Sequence, residues 1–556
     1  MRLAVTDYNA ATDFVDLNND WTAAEFNNSN NDNAALDAHW GAEKFYDYFY
    51  NVRGRNSWND LNGSLLSYVN ANLTYFGTDN NNAFWDGSRI TLGKGASNNP
   101  YVSLDVIAHE FSHGIFQTDV LGGATSIASE TAALDEGLSD IWAACIKQWA
   151  APSKPIWVLG TELVAGGSRS MSDPKSKNQP NTYGGTYWVN TSGCSPNNSN
   201  DYCGGHTNMS VLSYWFYLLT MGGSGTNDVG TSYKIQGLGF TKSSAIVYRA
   251  ERFGGMTNTV TYATARNAMI QAATDLYGAN SCEVLYTTNA WNAVGVGSGT
   301  AYPSGITGSN VFCTSTSGYS IGGTAPAGTT IIWSASGTIS ISGGNTGSSV
   351  TVQKTGNGYG TLTASLQSNC GSLVIATKQI YTGLPIFPTY TTSPNPICDN
   401  QDALITFNLG PSQTITSATG NQGGVQVPLS GGGNTYTLPA DIFGVTLTIS
   451  NSCGTVTLSK LIRKASCGGL MVIYPNPADN QLTVDFNGQQ SQSLNKTSSA
   501  ESKSVKLFNK NGVVLRSVST KENQITFDIS KIAKGTYYLQ VVKSNGIETK
   551  QVIIQH

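Results

Sequence analysis

The sequence of 556 residues has little charge, few histidines and no long apolar run. Only 12% of its residues are charged and the formal net charge is −4, so it offers no basic surface for nucleic acid or an anionic membrane. No apolar run reaches the roughly 20 residues that span a bilayer, so we expect no membrane-spanning helix. These absences leave the five histidines as the most informative residues.

Two of those histidines stand in the segment His109-Glu110-Phe111-Ser112-His113. On a helix this spacing sets both imidazoles on one face with a carboxylate beside them, which is typical of a zinc site. Further along, Glu136 can supply a third ligand, and Asp140, one helical turn later, a carboxylate that supports a ligand. The alternative is an accidental match in a surface helix, which is rare in a chain so poor in histidine.

A third histidine, His206, follows Gly204 and Gly205 and precedes the apolar segment Val211–Leu219. A glycine pair ahead of a helix can present one side chain to a cleft. The alternative is a histidine capped in the protein core. Both interpretations stay open from the sequence.

These motifs, in this order, resemble the thermolysin-like zinc metallopeptidases, the gluzincins whose third ligand is a glutamate. The resemblance implies an α+β catalytic domain with a mostly helical C-terminal lobe, which we place at residues 1–300. Further segments carry it in the same order, namely Asp37–Ala42, Tyr46–Phe49, Gly54–Ser57, Asn81–Gly87, Asp105–Ala108, Arg169–Pro174, Ala265–Ala273 and Ala290–Val296.

Peptide hydrolysis needs a nucleophile at neutral pH, a polarised carbonyl and a proton for the departing amine. Zinc held by His109, His113 and Glu136 would act as a Lewis acid and lower the pKa of a water molecule to roughly 7. Glu110 adjoins a ligand without being one, so it can take the proton of that water and deliver it to the amine. Glu110 is therefore the predicted general base.

The resemblance implies two further polar roles around the metal. His206, oriented by Asp201, would donate a hydrogen bond to the developing oxyanion. Asp140 would fix the tautomer of His109, as carboxylate partners of zinc-bound histidines do.

The resemblance also implies how substrate binds. Arg169 would bind a backbone carbonyl of the substrate, and Asn82 with Ala83 would pair with the extended peptide as an added strand. Tyr101 and Val106 would line the pocket for a large apolar residue. We therefore expect cleavage on the amino side of large hydrophobic residues.

Three departures from the family pattern matter. The asparagine that usually precedes the ligand glutamate is Asp135, which can still accept from His113 but adds negative charge near the metal. The family tyrosine that assists the oxyanion is replaced by Ile127. The start of the chain, Met1–Val5, has no signal-peptide pattern, and we expect a shortened N-terminal lobe.

The acidic residues that form the paired calcium site of the family are mostly missing from this sequence. Asp105 is present, but the matching stretch carries Lys147 on the helix and, beyond it, the uncharged residues Ile156, Val158 and Thr161. Hard calcium needs clustered oxygen ligands, and a Lys147–Asp105 ion pair could replace the ion. We predict one catalytic Zn²⁺, with Ca²⁺ left as an open alternative.

Beyond residue 303 the composition shifts to glycine, serine and threonine with short alternating runs, which predicts β-sandwiches at 303–385 and 386–468. They resemble the polycystic-kidney-disease-like and immunoglobulin-like modules of secreted bacterial enzymes. Pairing Cys313 with Cys370 and Cys398 with Cys453 would close each unit, and Cys194 with Cys203 would clip the loop that leads to His206. This cysteine usage favours an extracytoplasmic compartment. The sequence assigns no disulfide partner to Cys145, Cys282 or Cys467. We expect Cys145 to be a buried thiol.

The last module, 470–556, begins near Tyr474–Leu482 and ends near Lys534–Val542. It resembles the C-terminal sorting domain of type IX secretion cargo, a small β-sandwich, with one more adhesive sandwich as the alternative. The polar stretch Gln489–Lys503 within it is predicted to be a mobile loop or linker. The resemblance implies a secreted or cell-surface bacterial protein that engages the type IX machinery.

The sequence thus predicts a secreted, monomeric zinc endopeptidase that acts on proteins or peptides. One alternative is a surface adhesin or binding protein whose protease-like domain is inactive. A zinc aminopeptidase is another alternative, although the sequence shows no evident acidic group to hold a free amine. Cleavage inside a chain, as opposed to trimming from its end, would separate these enzymes.

Overall fold

The computed structural model describes residues 2–3, 11–14, 22, 33–95, 99–124, 128–395, 397, 401–462, 464, 471–486, 502–543 and 546–555. The predictions for Ile127, Cys398 and Cys467 lie outside these residues, as does stretch 489–501 of the polar loop. Of the helices within the described ranges, none has the length and apolar character that a bilayer crossing needs.

The N-terminal region forms a five-stranded mixed sheet beside a helix. Among the described strands the order is β2-β1-β3-β5-β4, so within this part of the chain β4 lies at an edge beside β5, in antiparallel register. The helix, α1, is Asn33–Tyr48, and its buried Phe45 contacts Phe111 of the next helix with ring centroids 5.4 Å apart. The strands are β1 Arg2–Leu3, β2 Thr12–Asp13, β3 Ser67–Ala71, β4 Ala83–Trp85 and β5 Ile90–Gly93.

Two central helices, α2 Leu104–Phe116 and α3 Ser129–Ala150, pack against each other at the heart of the catalytic region. On α2, Phe111 points toward α1 and β4, whereas His109 and His113 point toward α3. Residues three or four apart share one helical face, so α2 can bury an apolar face and present a polar one. The core therefore fixes the direction in which the histidines point.

The rest of this region combines helices, two short two-stranded sheets and a stretch at 151–200 of mostly turns and irregular backbone. Trp142, Trp215 and Trp291 are fully buried where α3 meets the later helices, and the rings of Trp215 and Trp291 stack at 4.7 Å. Large aromatic side chains such as these dominate core energetics. The elements are β6 Val158–Leu159, β7 Arg169–Ser170, α4 Asp201–Asn208, α5 Ser210–Met221, β8 Gly222–Thr226, β9 Ser232–Gln236, α6 Gly239–Phe253, α7 Tyr262–Tyr277 and α8 Cys282–Ala293.

The next module has two four-stranded sheets, β10-β12-β15-β14 and β11-β17-β16-β13, around their own apolar core. Alternating burial along β15 and β16 gives each sheet one inward face. Trp333 fills the centre of this core. The strands are β10 Ser304–Thr307, β11 Val311–Phe312, β12 Thr316–Gly322, β13 Thr330–Gly337, β14 Ile339–Ser342, β15 Ser349–Lys354, β16 Gly358–Ser368 and β17 Gly371–Thr382.

The third module repeats this plan with sheets β18-β19-β23-β22 and β21-β20-β24-β25. Phe407 and Leu447 belong to its separate core. The strands are β18 Thr389–Ser393, β19 Ala403–Asn408, β20 Thr414–Gln422, β21 Val425–Pro428, β22 Gly431–Gly432, β23 Thr435–Leu438, β24 Gly444–Asn451 and β25 Gly454–Leu461.

The C-terminal module pairs a three-stranded sheet, β26-β27-β30, with a four-stranded sheet, β29-β28-β31-β32. Its core includes Leu482 and Leu539. The strands are β26 Val472–Tyr474, β27 Gln481–Asp485, β28 Lys503–Asn509, β29 Val514–Thr520, β30 Gln524–Asp528, β31 Gly535–Lys543 and β32 Gly546–Ile554. The α+β region followed by three β-sandwich modules confirms the predicted fold class. We retain 1–300, 303–385, 386–468 and 470–556 as proposed domain limits, because no described strand crosses them.

The disulfides correct part of the cysteine prediction. Cys194 is bonded to Cys203 as predicted. Cys370 is bonded to Cys282 and Cys453 to Cys313, so the predicted pairs Cys313–Cys370 and Cys398–Cys453 are wrong. These two disulfides join neighbouring modules, whereas we expected each disulfide to lie within one module. Cys145 is a buried free thiol, as expected, and burial raises its pKa to about 12.

The physical reason is that the first sandwich packs directly on the catalytic region. Leu373 of β17 contacts the catalytic core, and Nζ of Lys234 donates to the backbone oxygens of Val374 and Ile375 at 3.3 Å. The turn between β16 and β17 therefore faces the start of α8. Cys370 lies in that turn, within bonding distance of Cys282.

Candidate metal centre

Three side chains from two helices converge on one point. His109 and His113 lie four residues apart on α2, and Glu136 lies on the facing surface of α3. One ligand atom from each lies within 4.8 Å of the others. Nε2 of His109 is 3.1 Å from Oε2 of Glu136, and Nε2 of His113 is 3.8 Å from Oε1. This is the convergence that a tetrahedral metal site requires of three protein ligands.

The other ring nitrogen of each histidine meets a carboxylate. Nδ1 of His109 lies 2.9 Å from Asp140, and Nδ1 of His113 lies 2.7 Å from Asp135 and 3.2 Å from Oγ of Ser139. If each Nδ1–H donates to its carboxylate, both Nε2 lone pairs point toward Glu136 and can bind a metal. Ser139 was not anticipated from the sequence, although it stands one residue before Asp140.

The charges around this point favour a cation. Burial would lower the pKa of His113, but Asp135 and Glu136 raise it to about 10. Burial would raise the pKa of Glu136, but His206 and His113 hold it well below its usual value. A cluster of carboxylates that draws protons onto imidazoles is suited to a divalent cation. Two imidazoles and a carboxylate are the donor set of catalytic zinc sites, so these residues fit Zn²⁺.

Glu110 lies beside this set without joining it. It is 7% exposed and follows His109 on α2, yet the three converging ligands do not include it. Its charge contributes to the raised pKa values of His113 and Tyr101. Its burial and its place beside His109 in the sequence keep Glu110 a candidate for the general base.

His206 and Asp201 approach the centre from α4. Nε2 of His206 lies 3.2 Å from Oε1 of Glu136, while its Nδ1 contacts the Asp201 carboxylate, which also accepts from the His206 backbone N–H at 3.1 Å. The side chain of His206 is 58% exposed, which excludes the alternative of a histidine in the core. The Glu136 charge holds the pKa of His206 above its ordinary value.

Arg169 is held by a carboxylate of the centre. Its Nε and one terminal nitrogen donate to the two oxygens of Asp140 at 3.0 and 2.7 Å. The carboxylate is 1% exposed and the guanidinium side chain 24% exposed. Bidentate pairs of this kind are geometrically specific. The sequence assigned Arg169 to substrate and Asp140 to His109, and did not anticipate their contact.

The remaining predicted substrate residues lie along the edge strand and the approach to α2. Ala83 begins β4, and the amide of Asn82 donates to Oγ1 of Thr78 at 3.1 Å. Tyr101 and Val106 are half-buried against the catalytic core. Burial raises the pKa of Tyr101, and the charges of Arg169 and Glu110 also act on it.

A buried ion pair stands at the predicted calcium region. Nζ of Lys147 lies 2.7 Å from Oδ2 of Asp105, and the two side chains are 1% and 2% exposed. The ammonium also donates to the backbone oxygen of Val158 at 3.2 Å, and the amide of Gly160 donates to the same Asp105 oxygen at 3.0 Å. The contact predicted between Lys147 and Asp105 is thus present.

Three regions of the chain match models of known protein families. Residues 2–117 match the thermolysin metallopeptidase catalytic domain, and residues 126–296 match the thermolysin metallopeptidase alpha-helical domain. Residues 472–555 match the secretion system C-terminal sorting domain.

Individual relatives match the first half of the chain. The thermostable neutral protease NprT of Geobacillus stearothermophilus is 36% identical over 273 residues, covering 48% of this chain and 45% of the relative. Thermolysin of Alicyclobacillus acidocaldarius subsp. acidocaldarius is 35% identical over 273 residues, covering 48% of this chain and 46% of the relative. Among solved structures, the precursor of protealysin from Serratia proteamaculans is 24% identical with a TM-score of 0.38. The match covers 49% of this chain and 81% of that one. The chain spans less than half the length of these two curated relatives.

Proposed function

We propose that this chain, whose residues 2–117 and 126–296 belong to the thermolysin metallopeptidase family, is a zinc-dependent endopeptidase. The observation that carries the proposal is the convergence of His109, His113 and Glu136 within 4.8 Å, beside the uncommitted carboxylate of Glu110. A bound Zn²⁺ would polarise the scissile carbonyl and acidify a water molecule.

Glu110 would move the proton in this reaction. Its carboxylate is buried next to the metal position, so it would accept a proton from the attacking water and pass it to the departing amine. With a metal bound, His113 would be a neutral ligand, because its Nδ1–H donates a hydrogen bond to Asp135 and its Nε2 lone pair is left for the metal.

His206 would stabilise the negative charge that develops on the carbonyl oxygen. Asp201 holds its Nδ1 side, so the Nε2–H points toward the centre, where Glu136 now lies 3.2 Å away. Donors placed in advance at a developing oxyanion are worth about 10²–10³ in kcat.

Substrate would bind as a strand against β4. The edge of β4 away from β5 carries backbone groups that can pair with an extended peptide, beginning at Asn82 and Ala83. Arg169, fixed by Asp140, would bind a backbone carbonyl of the substrate. Tyr101 and Val106 would line a pocket for a large hydrophobic residue, which favours cleavage on its amino side.

Calcium is not required in this proposal. The ammonium of Lys147 supplies the positive charge beside Asp105, and it is buried there with a backbone carbonyl as a further partner. A calcium ion would have to displace this ammonium, and Ile156, Val158 and Thr161 farther along the chain have no carboxylate to offer it.

The protein is exported. Its last module matches a secretion system sorting domain, and disulfides such as Cys282–Cys370 persist in oxidising compartments. We propose that residues 470–556 engage the type IX machinery, that the chain is monomeric, and that the middle sandwiches hold or space the catalytic region.

A peptide of about a dozen residues, blocked at both ends, tests the proposed function. The purified chain should cleave it internally, lose activity with chelator and regain activity with added zinc. An aminopeptidase would leave a blocked peptide intact. The binding-protein alternative predicts a chain that holds one zinc ion and cleaves neither the peptide nor casein.

A further inference from the structure

The segment that carries Asp201 and His206 begins with an uncommon backbone. Asp201, Tyr202 and Cys203 have φ angles of 53°, 49° and 68°, and Gly204 follows at 81°. The left-handed region is unfavourable for residues with a Cβ atom, and such residues occupy it mostly one at a time. Three of them in succession must be held by contacts made elsewhere.

Those contacts come from the loop just before the turn. Cys203 is buried and bonded to Cys194. Oδ1 of Asn200 accepts from the backbone N–H of Cys203 at 3.1 Å, and the N–H of Tyr202 donates to the oxygen of Asn197 at 2.9 Å. The disulfide is the covalent member of this set.

The left-handed turn brings Asp201 back to His206. The Asp201 carboxylate contacts both the backbone N–H and Nδ1 of His206 across five residues of chain. Because the imidazole is 58% exposed, packing contributes little to its position. Its place 3.2 Å from Glu136 therefore depends on the turn.

We propose that the Cys194–Cys203 disulfide is a positioning element for His206. It holds the left-handed turn, the turn holds Asp201, and Asp201 holds the imidazole toward the centre. Neither sulfur touches substrate. The proposal rests on the peptidase function proposed above and assigns to a cross-link in this chain a part in the rate of the reaction.

The first experiment compares wild type with the double variant Cys194→Ala/Cys203→Ala. We expect kcat to fall by about 10- to 100-fold, less than the roughly 10²–10³-fold cost of losing an oxyanion donor, because the imidazole is displaced and not removed. KM should change by less than about threefold. Zinc content should not change. The matched control, Cys313→Ala/Cys453→Ala, removes a disulfide between the two middle modules and should leave kcat at the wild-type value.

A double-mutant cycle with His206→Ala separates positioning from general stability. If the disulfide acts through His206, removing it from the His206→Ala variant lowers kcat no further. A disulfide that merely stabilises the fold would lower activity to a similar degree in both backgrounds, and that result would overturn the proposal.

A rescue experiment uses the backbone directly. Tyr202→Gly removes the steric penalty of the left-handed region at one position, so it should restore kcat of the double-cysteine variant by about threefold or more. No restoration counts against the proposal. Asn200→Ala keeps the disulfide but frees the Cys203 amide, and should lower kcat by a smaller factor even if the double-cysteine variant folds poorly.

Hydrogen exchange provides a test without activity. In the double-cysteine variant, amides of residues 197–206 should exchange at least about tenfold faster, while those of α2 and α3 stay unchanged. Unchanged exchange at 197–206 would refute the proposal even if the peptidase function holds. A wild type with its disulfides formed that binds zinc yet cleaves nothing would refute the peptidase function. The exchange measurement would then still test whether the disulfide holds the left-handed turn.

Discussion

The carboxylate of Asp140 lies 2.9 Å from Nδ1 of His109 and accepts two hydrogen bonds from Arg169. One buried side chain thus contacts both a predicted metal ligand and the arginine that we propose binds substrate. Burial would raise its pKa, but Arg169 and His109 hold it below the ordinary value, so Asp140 stays ionised. A change at Asp140 should therefore affect the positions of both His109 and Arg169.

Replacing Asp140 should weaken zinc binding. In Asp140→Asn the charge is lost, although the amide can still contact His109, and we expect zinc affinity to fall by about 10- to 100-fold. Competition with a chromogenic chelator measures this affinity. The surface variant Asp47→Asn serves as the control. Equal affinity in both variants would contradict the orienting role of Asp140.

The sequence predicted that His109 and His113 act together because their spacing is short-ranged, whereas it identified Glu136 by the separate motif that contains it. His109 and His113 share a helical face by spacing alone, and Glu136 reaches them because α2 and α3 pack on each other. The α+β fold of the first half followed from the family resemblance, and the β-sandwiches of the second half followed from alternating local patterns.

Long-range contacts were not predictable in the same way. Cys370 pairs with Cys282 only because the first sandwich packs on the catalytic region, and nothing in the spacing of the cysteines shows that contact. Likewise the left-handed turn at Asp201 and Tyr202 contradicts residue preferences, so local sequence could not indicate it. Tertiary packing decided both.

We expect the stability of the catalytic region to depend on Lys147 and not on calcium. Lys147→Met leaves the Asp105 carboxylate buried without a cation, which typically destabilises by about 3–5 kcal/mol. Thermal unfolding of the catalytic region measures the loss, and added calcium should not change the wild-type curve. The double variant Lys147→Met/Asp105→Asn should recover most of the stability. A large stabilisation of wild type by calcium would contradict this account.

Glu251 should make folding pH-dependent. Burial, with the charge of Asp119, raises its pKa to about 8 from the ordinary value of 4.5, and its Oε2 accepts from Nε1 of Trp142 at 2.7 Å. Between these values the folded state binds a proton that the unfolded state lacks, so stability decreases as pH rises toward 8.

The variant Glu251→Gln isolates this contribution. Relative to the variant, wild type should lose up to about 1.4 kcal/mol of unfolding free energy per pH unit between about pH 5 and 8. Denaturant unfolding at several pH values measures the difference. Parallel curves for the two proteins would show that Glu251 is ionised in the fold.

The disulfides should hold fragments together after cleavage between modules. Cutting the connection at 297–303 should leave the catalytic region attached to the first sandwich through Cys282–Cys370 until a reductant is added. Non-reducing and reducing gels show the difference, and peptide mapping identifies the pairs. Recovery of a Cys313–Cys370 peptide would contradict the observed connectivity.

The most direct test of the central claim is the rate of casein hydrolysis by wild type and Glu110→Gln, with the zinc content of each determined. We expect wild type to cleave with one zinc ion per chain. The variant should keep its zinc and lose about 10²–10⁴-fold in kcat, because only the proton carrier is removed. A variant as active as wild type, or a zinc-loaded wild type that cleaves nothing, would contradict the account.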